Sequence, residues 1–199
     1  MDEIAFPKNN EAEFVELASK LGFKKIYFIY DFDAYLRENI KEKLNSIRND
    51  KNLDIEAGFT SFVTKSSDKD RFFIESKKIK LIYGFEELQK KDYLHQRSSG
   101  LNHIMCELAN KNDVAVGLSY SSLFNKNNLI APLLMGRMMQ NISLCKKYKV
   151  KTVIGSFSQN PFDMRSPHDI KSLFTVLGMG SRNLIDSLNY GSIIHETFK

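Results

Sequence analysis

Apolar residues recur along the chain with two different periods, and together these periods predict strands that alternate with helices. Leu101, Ile104, Met105 and Leu108 stand at i, i+3, i+4 and i+7, which places them on one helical face. Between the helical segments lie short apolar runs of strand length. The predicted strands cover residues 2–6, 25–30, 53–63, 72–74, 79–83, 114–118 and 152–155.

The predicted helices are about as numerous as the strands. The longest runs over residues 128–148, with Leu134 and Asn141 on its apolar stripe. Asn10 and Ser166 each stand three positions before an acidic residue, which predicts that their side chains cap the helices that follow. Shorter helices are predicted at residues 11–21, 36–47, 85–91, 101–108, 167–177 and 182–188.

This alternation indicates parallel βαβ units and an α/β fold. It favours a compact, irregular TIM-like barrel of about seven to eight parallel strands, formed as one domain by residues 1–199. A doubly wound open sheet is the alternative. The runs at 72–74 and 79–83 are too close for a crossover helix, which needs about a dozen residues. Either one of these runs is not a barrel strand, or a turn replaces the helix between them.

Composition places the chain among ordinary globular proteins. Its 199 residues are 42% hydrophobic and 27% charged, which is typical of a soluble domain with a real core. No apolar run approaches the roughly 18 residues of a membrane span, and the acidic start lacks the apolar core of a signal peptide. Cys106 and Cys145 both fall in predicted helices and do not suggest a disulfide framework. These features predict a cytoplasmic protein without a membrane partner.

The net charge of +5 belongs to the second half of the chain. Residues 1–96 hold 17 Lys and Arg against 18 Asp and Glu, whereas residues 97–199 hold 12 against 6. An acidic partner such as RNA is one interpretation of this asymmetry. A lysine-coated, solvated surface of a general barrel scaffold is the other.

A different chemistry is suggested by Asp31 and Asp33, which directly follow the strand at 25–30. A strand that ends in Asp-x-Asp is similar to the first motif of haloacid-dehalogenase-type phosphatases, in which a carboxylate attacks phosphorus beside Mg²⁺. Thr60 follows the next strand and could bind the phosphate. The alternative is that Asp33 caps a helix and Asp31 lies in a turn. The paired acidic motif that such a phosphatase needs after a later strand does not occur.

Other catalytic patterns are missing from the sequence. The four histidines lack metal-binding spacing, and the glycines form neither a dinucleotide fingerprint nor a P-loop. Several cations instead stand in loops or near predicted helix starts, where backbone N–H groups and positive charge together favour phosphate. These cations are Arg97, Lys126, Arg165 and Arg182.

Four segments in order resemble the family of ribonuclease P protein component 3, the archaeal and eukaryotic subunit related to PHP-type TIM barrels. The segments are SGLNHI from Ser99, NDVAVGLSYSSL, GRMMQNISLCKKYKV and MRSPHDIKSLFTVLGMG. The resemblance covers about residues 79–180, roughly half of the chain. It implies a PHP-like barrel subunit of the ribonucleoprotein that removes the 5′ leader of precursor tRNAs, in which the RNA and its Mg²⁺ ions do the cutting.

The resemblance also implies partners and contact residues. The expected partners are the ribonuclease P RNA, protein component 2 in a heterotetramer, other ribonuclease P proteins and, indirectly, the precursor tRNA. Arg97 and Arg165 match basic positions of the family, and Lys126, Arg137 and Arg182 are further expected RNA contacts. No metal or cofactor is expected on the chain itself, since the PHP-type metal histidines are absent. The chain departs from the family pattern beside Arg97, where two serines replace the expected basic and acidic pair.

Overall fold

Seven parallel strands lie at the centre of the described part of the chain, which in this computed structural model comprises residues 1–31, 40–48, 53–124 and 130–189. They form two sheets, with strand orders β1-β2-β3 and β4-β5-β6-β7, and every pair within a sheet is parallel. The strands are β1 (Asp2–Ala5), β2 (Lys25–Tyr30), β3 (Asp54–Phe59), β4 (Val63–Lys65), β5 (Leu81–Tyr83), β6 (Ala115–Ser119) and β7 (Thr152–Gly155).

The two sheets are hydrogen-bonded to each other at one edge and joined by a short connection at the other. On one side the backbone N–H of Phe157 donates to Ile4 at 3.0 Å, and that of Phe6 donates to Ser158 at 2.9 Å. On the other side residues 60–62 lead directly from β3 into β4 without a helix. The arrangement is therefore the irregular parallel barrel that the sequence predicted, and the short β3–β4 connection accounts for much of its irregularity.

Helices surround the strands. Ser166 caps α7 as predicted, because its Oγ accepts from the backbone N–H of Asp169 at 3.2 Å. None of the helices in the described ranges is long and apolar enough to cross a membrane. The described helices are α1 (Glu11–Leu21), α2 (Ile40–Arg48), α3 (Asp70–Ser76), α4 (His103–Asn112), α5 (Ser121–Phe124), α6 (Ala131–Tyr148), α7 (Pro167–Val176) and α8 (Ser181–Ser187).

Alternate strand residues face two separate apolar cores, as the period of two requires. A small core fills the inside of the barrel, and a larger one lies between the strands and the helices. Strand residues of the larger core include Ala5, Phe28, Ile82, Val116 and Ile154. The small core consists of Ile4, Tyr27, Ile29, Val63, Leu81, Ala115, Val153 and Phe157.

Four local predictions were wrong. The single strand predicted at residues 53–63 is interrupted by a turn at 60–62, which separates β3 from β4. The run at residues 72–74 lies in α3 and is not a strand, so β5 is preceded by a short crossover helix. The helix predicted at 85–91 is only a 3₁₀ turn, Phe85–Glu87. Asn10 does not cap α1, because its Oδ1 accepts from the backbone N–H of Lys8 at 2.8 Å.

Candidate functional site

Arg97 lies on the surface and rests on the backbone of α6. Its Nη1 donates to the carbonyl of Gly136 at 2.8 Å. A Cβ on Gly136 would lie 2.9 Å from Cζ of Arg97, so a larger residue there would displace the guanidinium from this position. Glycine inside a helix costs about 1 kcal/mol relative to alanine. Gly136 thus allows the guanidinium to lie directly against the helix backbone.

Arg137 lies next to Gly136 in sequence but points into the protein, with 1% of its surface exposed. Its Nε donates to Asp92 Oδ1 at 2.7 Å, and its Nη1 donates to the carbonyls of Glu86 at 2.9 Å and Gln89 at 2.6 Å. The guanidinium therefore fixes the segment after β5 against α6. Because it is buried and engaged in this way, we do not retain Arg137 as an RNA contact.

Asp92 connects the two arginines through the loop between the 3₁₀ turn and α4. Its Oδ1 also accepts from the backbone N–H of Ser98 at 2.8 Å. Although burial opposes ionisation, this N–H group and Arg137 hold the pKa of Asp92 below its usual value. The Asp92 carboxylate thus contacts both Arg137 and the backbone of Ser98, the residue after Arg97.

Arg165 lies immediately before Ser166, the cap of α7. Its guanidinium carbon is 4.5 Å from the ring centroid of Phe124, and its Nη1 donates to the carbonyls of Phe162 at 2.9 Å and Met164 at 2.8 Å. The side chain is partly exposed. A guanidinium stacked on an aromatic ring and fixed by two carbonyls is well oriented for an external acceptor.

The structure says less about the two remaining predicted RNA contacts, Arg182 and Lys126. Arg182 is exposed in the first turn of α8, which has only seven residues. Lys126 lies outside the described residues. Of the predicted set, the structure therefore brings Arg97 and Arg137 together around Asp92, and it places Arg165 separately beside Phe124.

The barrel mouth, at the carboxyl ends of the strands, holds a cavity of about 790 Å³. This is where enzymes with this architecture place their active sites. Aromatic rings cross it: Tyr83 stacks on Phe157 with centroids 4.5 Å apart, and Phe6 lies 5.5 Å from Tyr83. Among the described residues, no three His, Cys, Asp or Glu side chains lie close enough together to hold a metal ion.

Asp31 also lines this mouth. One of its carboxylate oxygens accepts from the hydroxyl of Thr60 at 2.6 Å. Asp33, the second carboxylate of the phosphatase hypothesis, lies outside the described residues. The contact joins two of the residues that the hypothesis named, but it supplies no paired acid, so the geometry gives the phosphatase hypothesis no support.

Sequence reasoning missed a buried carboxyl group in β1. Glu3 is fully buried: its Oε2 accepts from the Tyr120 hydroxyl at 2.5 Å, and its Oε1 accepts from the backbone N–H groups of Ser156 at 2.6 Å and Ile4 at 2.9 Å. Burial raises the pKa of Glu3 to about 7 against these hydrogen bonds. The network closes the seam between β1 and β7. The sequence did contain a signal for this group, because Glu3 stands next to Ile4 in a predicted strand.

Comparison with known sequences identifies relatives of this chain. A family model described as RNase P subunit p30 matches residues 90–194, more than half of the chain. Ribonuclease P protein component 3 of Methanocaldococcus jannaschii is 25% identical over 182 residues, covering 83% of this chain and 78% of that protein. The Methanosarcina barkeri protein of the same name is 30% identical over 92 residues, which are 46% of this chain and 38% of that protein.

Comparison with solved structures supports the fold. One chain in a cryo-EM structure of archaeal ribonuclease P with mature tRNA has a TM-score of 0.71 to this chain. The alignment covers 99% of this chain and 91% of the other, at 19% identity. The likeness extends over the N-terminal half, which lies outside the four segments of sequence resemblance.

Proposed function

Because the chain belongs to the RNase P subunit p30 family, we propose that it binds and supports the ribonuclease P RNA that removes the 5′ leader of precursor tRNAs. In this proposal the RNA cuts, and the chain supplies positioned positive charge. The observation that carries it is the geometry of Arg97 and Arg165. Both are surface arginines within the matched region, and each is held by backbone carbonyls of the chain.

These carbonyl contacts leave part of each guanidinium for RNA. In the described part of the chain, the hydrogen bonds of Arg97 and Arg165 involve Nη1. The Nε and Nη2 groups of both side chains can therefore donate to an outside phosphate. An arginine already fixed in position loses little side-chain entropy when it binds, which strengthens the contact. Arg182 is exposed and remains a weaker candidate contact.

The proposal includes partners that these contacts do not define. We propose that protein component 2 binds the chain in a heterotetramer, and that the precursor tRNA is reached through the RNA. Mg²⁺ belongs to the RNA in this proposal, and the chain acts in the cytoplasm without a cofactor of its own.

The tagged chain, purified from its own cells, should bring down one structured RNA and a second small protein. Recovery of the chain alone at low salt would contradict the assembly.

The double variant Arg97→Ala, Arg165→Ala should bind the RNA about tenfold more weakly near 0.2 M salt, because two phosphate contacts are lost. Reconstituted cleavage of precursor tRNA should change little at low salt, where binding is saturated, and fall at raised salt. The measurement is the affinity over a salt series. The slope of log K against log salt concentration should become shallower by roughly two.

A matched control removes two positive charges elsewhere. Lys20 and Arg71 are exposed and paired with Glu16 and Glu75 one helical turn away. The double variant Lys20→Ala, Arg71→Ala should leave both the salt slope and cleavage unchanged, since exposed pairs of this kind contribute little to stability. Equal effects of the two double variants would show that only net charge matters, and no effect of either would refute the RNA contact.

A further inference from the structure

Two residues that contact Arg165 carry exposed aromatic side chains. Phe162 is 77% exposed and Phe124 is 46% exposed. Arg165 joins them, because its guanidinium stacks on Phe124 and donates to the carbonyl of Phe162. We call Phe124, Phe162 and Arg165 the aromatic patch. It combines a guanidinium fixed on one phenyl ring with a second exposed phenyl ring on the residue whose carbonyl holds that guanidinium.

A small cavity opens beside this patch. It measures about 230 Å³ and is lined by Tyr120, Phe124, Arg165, Asp169, Ile170 and Leu173. The hydroxyl of Tyr120 already donates to Glu3, so it does not serve a ligand. The cavity is smaller than the roughly 300–1,000 Å³ that hold a drug-sized molecule. Its size and apolar walls fit one flat ring.

The two charged side chains at the cavity determine how a nucleotide would lie. Arg165 can take a phosphate, whereas the carboxylate of Asp169, which accepts from Ser166 Oγ at 2.8 Å, repels one. An acidic side chain can instead accept an amino proton of a base. The phosphate therefore belongs at Arg165, and the base belongs toward the rings and Asp169.

We propose that the aromatic patch binds one unpaired nucleotide of the RNA, with its base stacked on phenylalanine and its phosphate at Arg165. This inference rests on the proposed function and adds a recognition element to it. Aromatic side chains stack bases that are free, whereas bases within an A-form helix are already stacked on each other. The exposed ring of Phe162 is thus matched to a loop, a bulge or an end of the RNA, and not to a paired helix.

The test replaces Phe162 with leucine, which keeps an apolar side chain but removes the aromatic face. In the complex reconstituted with its RNA, Phe162→Leu should weaken RNA affinity about tenfold. Phe162→Trp should restore it, because the indole also stacks. The slope of log K against log salt should stay at the wild-type value for Phe162→Leu, since no charge is lost, and become shallower for Arg165→Ala.

Phe72 provides the matched control. It is 66% exposed on α3, so Phe72→Leu makes the same chemical change on another surface and should leave RNA affinity unchanged. If Phe162→Leu binds RNA like wild type while the arginine double variant is weakened, the nucleotide site is wrong and the proposed function stands. If neither variant changes RNA binding, both are wrong. If Phe162→Leu instead weakens binding of the second protein subunit without RNA, the patch is a protein contact and the inference fails.

Discussion

Replacing Arg137 with alanine is expected to lower the free energy of unfolding by about 3 to 5 kcal/mol. The guanidinium is almost fully buried and donates to Asp92, Glu86 and Gln89, as described above. The variant would leave a carboxylate and two carbonyls without their donor and would also open a cavity the size of the side chain. Urea unfolding of the isolated chain, followed by circular dichroism, measures the loss.

Arg97→Ala is the control for this prediction. It removes an arginine from the loop that Arg137 contacts, at an exposed position with one carbonyl contact on α6. Its effect on the free energy of unfolding should stay below about 1 kcal/mol. Equal losses in the two variants would mean that Arg137 does not hold the loop. The two arginines therefore have opposite expected profiles: Arg97 affects RNA binding, and Arg137 affects stability.

The sequence already contained a pattern that distinguishes the buried Arg137 from the exposed Arg97. Both arginines lie in or beside segments that resemble the family, and both carry the same charge, so composition does not separate them. Arg137, however, stands three residues after Leu134 and four before Asn141, and both of these belong to the predicted apolar stripe of α6. Helical periodicity places Arg137 on the buried face. An arginine on the buried face of a helix is expected to stabilise the fold and not to contact a partner.

The barrel was predictable because strong periodic patterns define most of its elements. The strands at 25–30, 114–118 and 152–155 and the long helix α6 were all confirmed. The failures occurred where local signals are short. Phe72 and Phe73 precede Ile74 in a run that fits either a strand or a helix, and only the packing of Ile74 in the core decides for a helix.

The segment at 85–91 failed for a different reason. Its composition allows a helix, but Gly84 adopts a left-handed conformation with φ of +79°, and Arg137 takes the carbonyls of Glu86 and Gln89. Those carbonyls would otherwise accept helical hydrogen bonds. The donor comes from about 50 residues away in sequence, so no local pattern could predict the outcome. The same limit applies to the aromatic patch, where α5 and the loop before α7 meet only in the folded chain.

The pH dependence of stability should follow the buried carboxyl groups of Glu3 and Glu86. Burial raises the pKa of each to about 7, from 4.5 in the unfolded chain. Between these values the folded state binds more protons than the unfolded state, so the free energy of unfolding falls as pH rises from about 4.5 to 7. Each carboxyl group contributes roughly 3 kcal/mol to this loss at most. The lowered pKa of Asp92 acts with the opposite sign but below its unfolded value of 3.8, so it leaves the loss between pH 4.5 and 7 unchanged.

The variant Glu3→Gln isolates the contribution of Glu3 to the pH dependence of stability. The amide keeps an oxygen for the backbone N–H groups of Ser156 and Ile4, but it cannot ionise, so no proton is released as pH rises. The difference between unfolding free energies at pH 5 and pH 7.5 should therefore shrink by roughly 2 to 3 kcal/mol in the variant. Glu75→Gln changes an exposed carboxyl group and should retain the wild-type difference. If Glu3→Gln retains it too, Glu3 is already ionised in the folded protein, and the seam between β1 and β7 must hold a buried charge across the whole range.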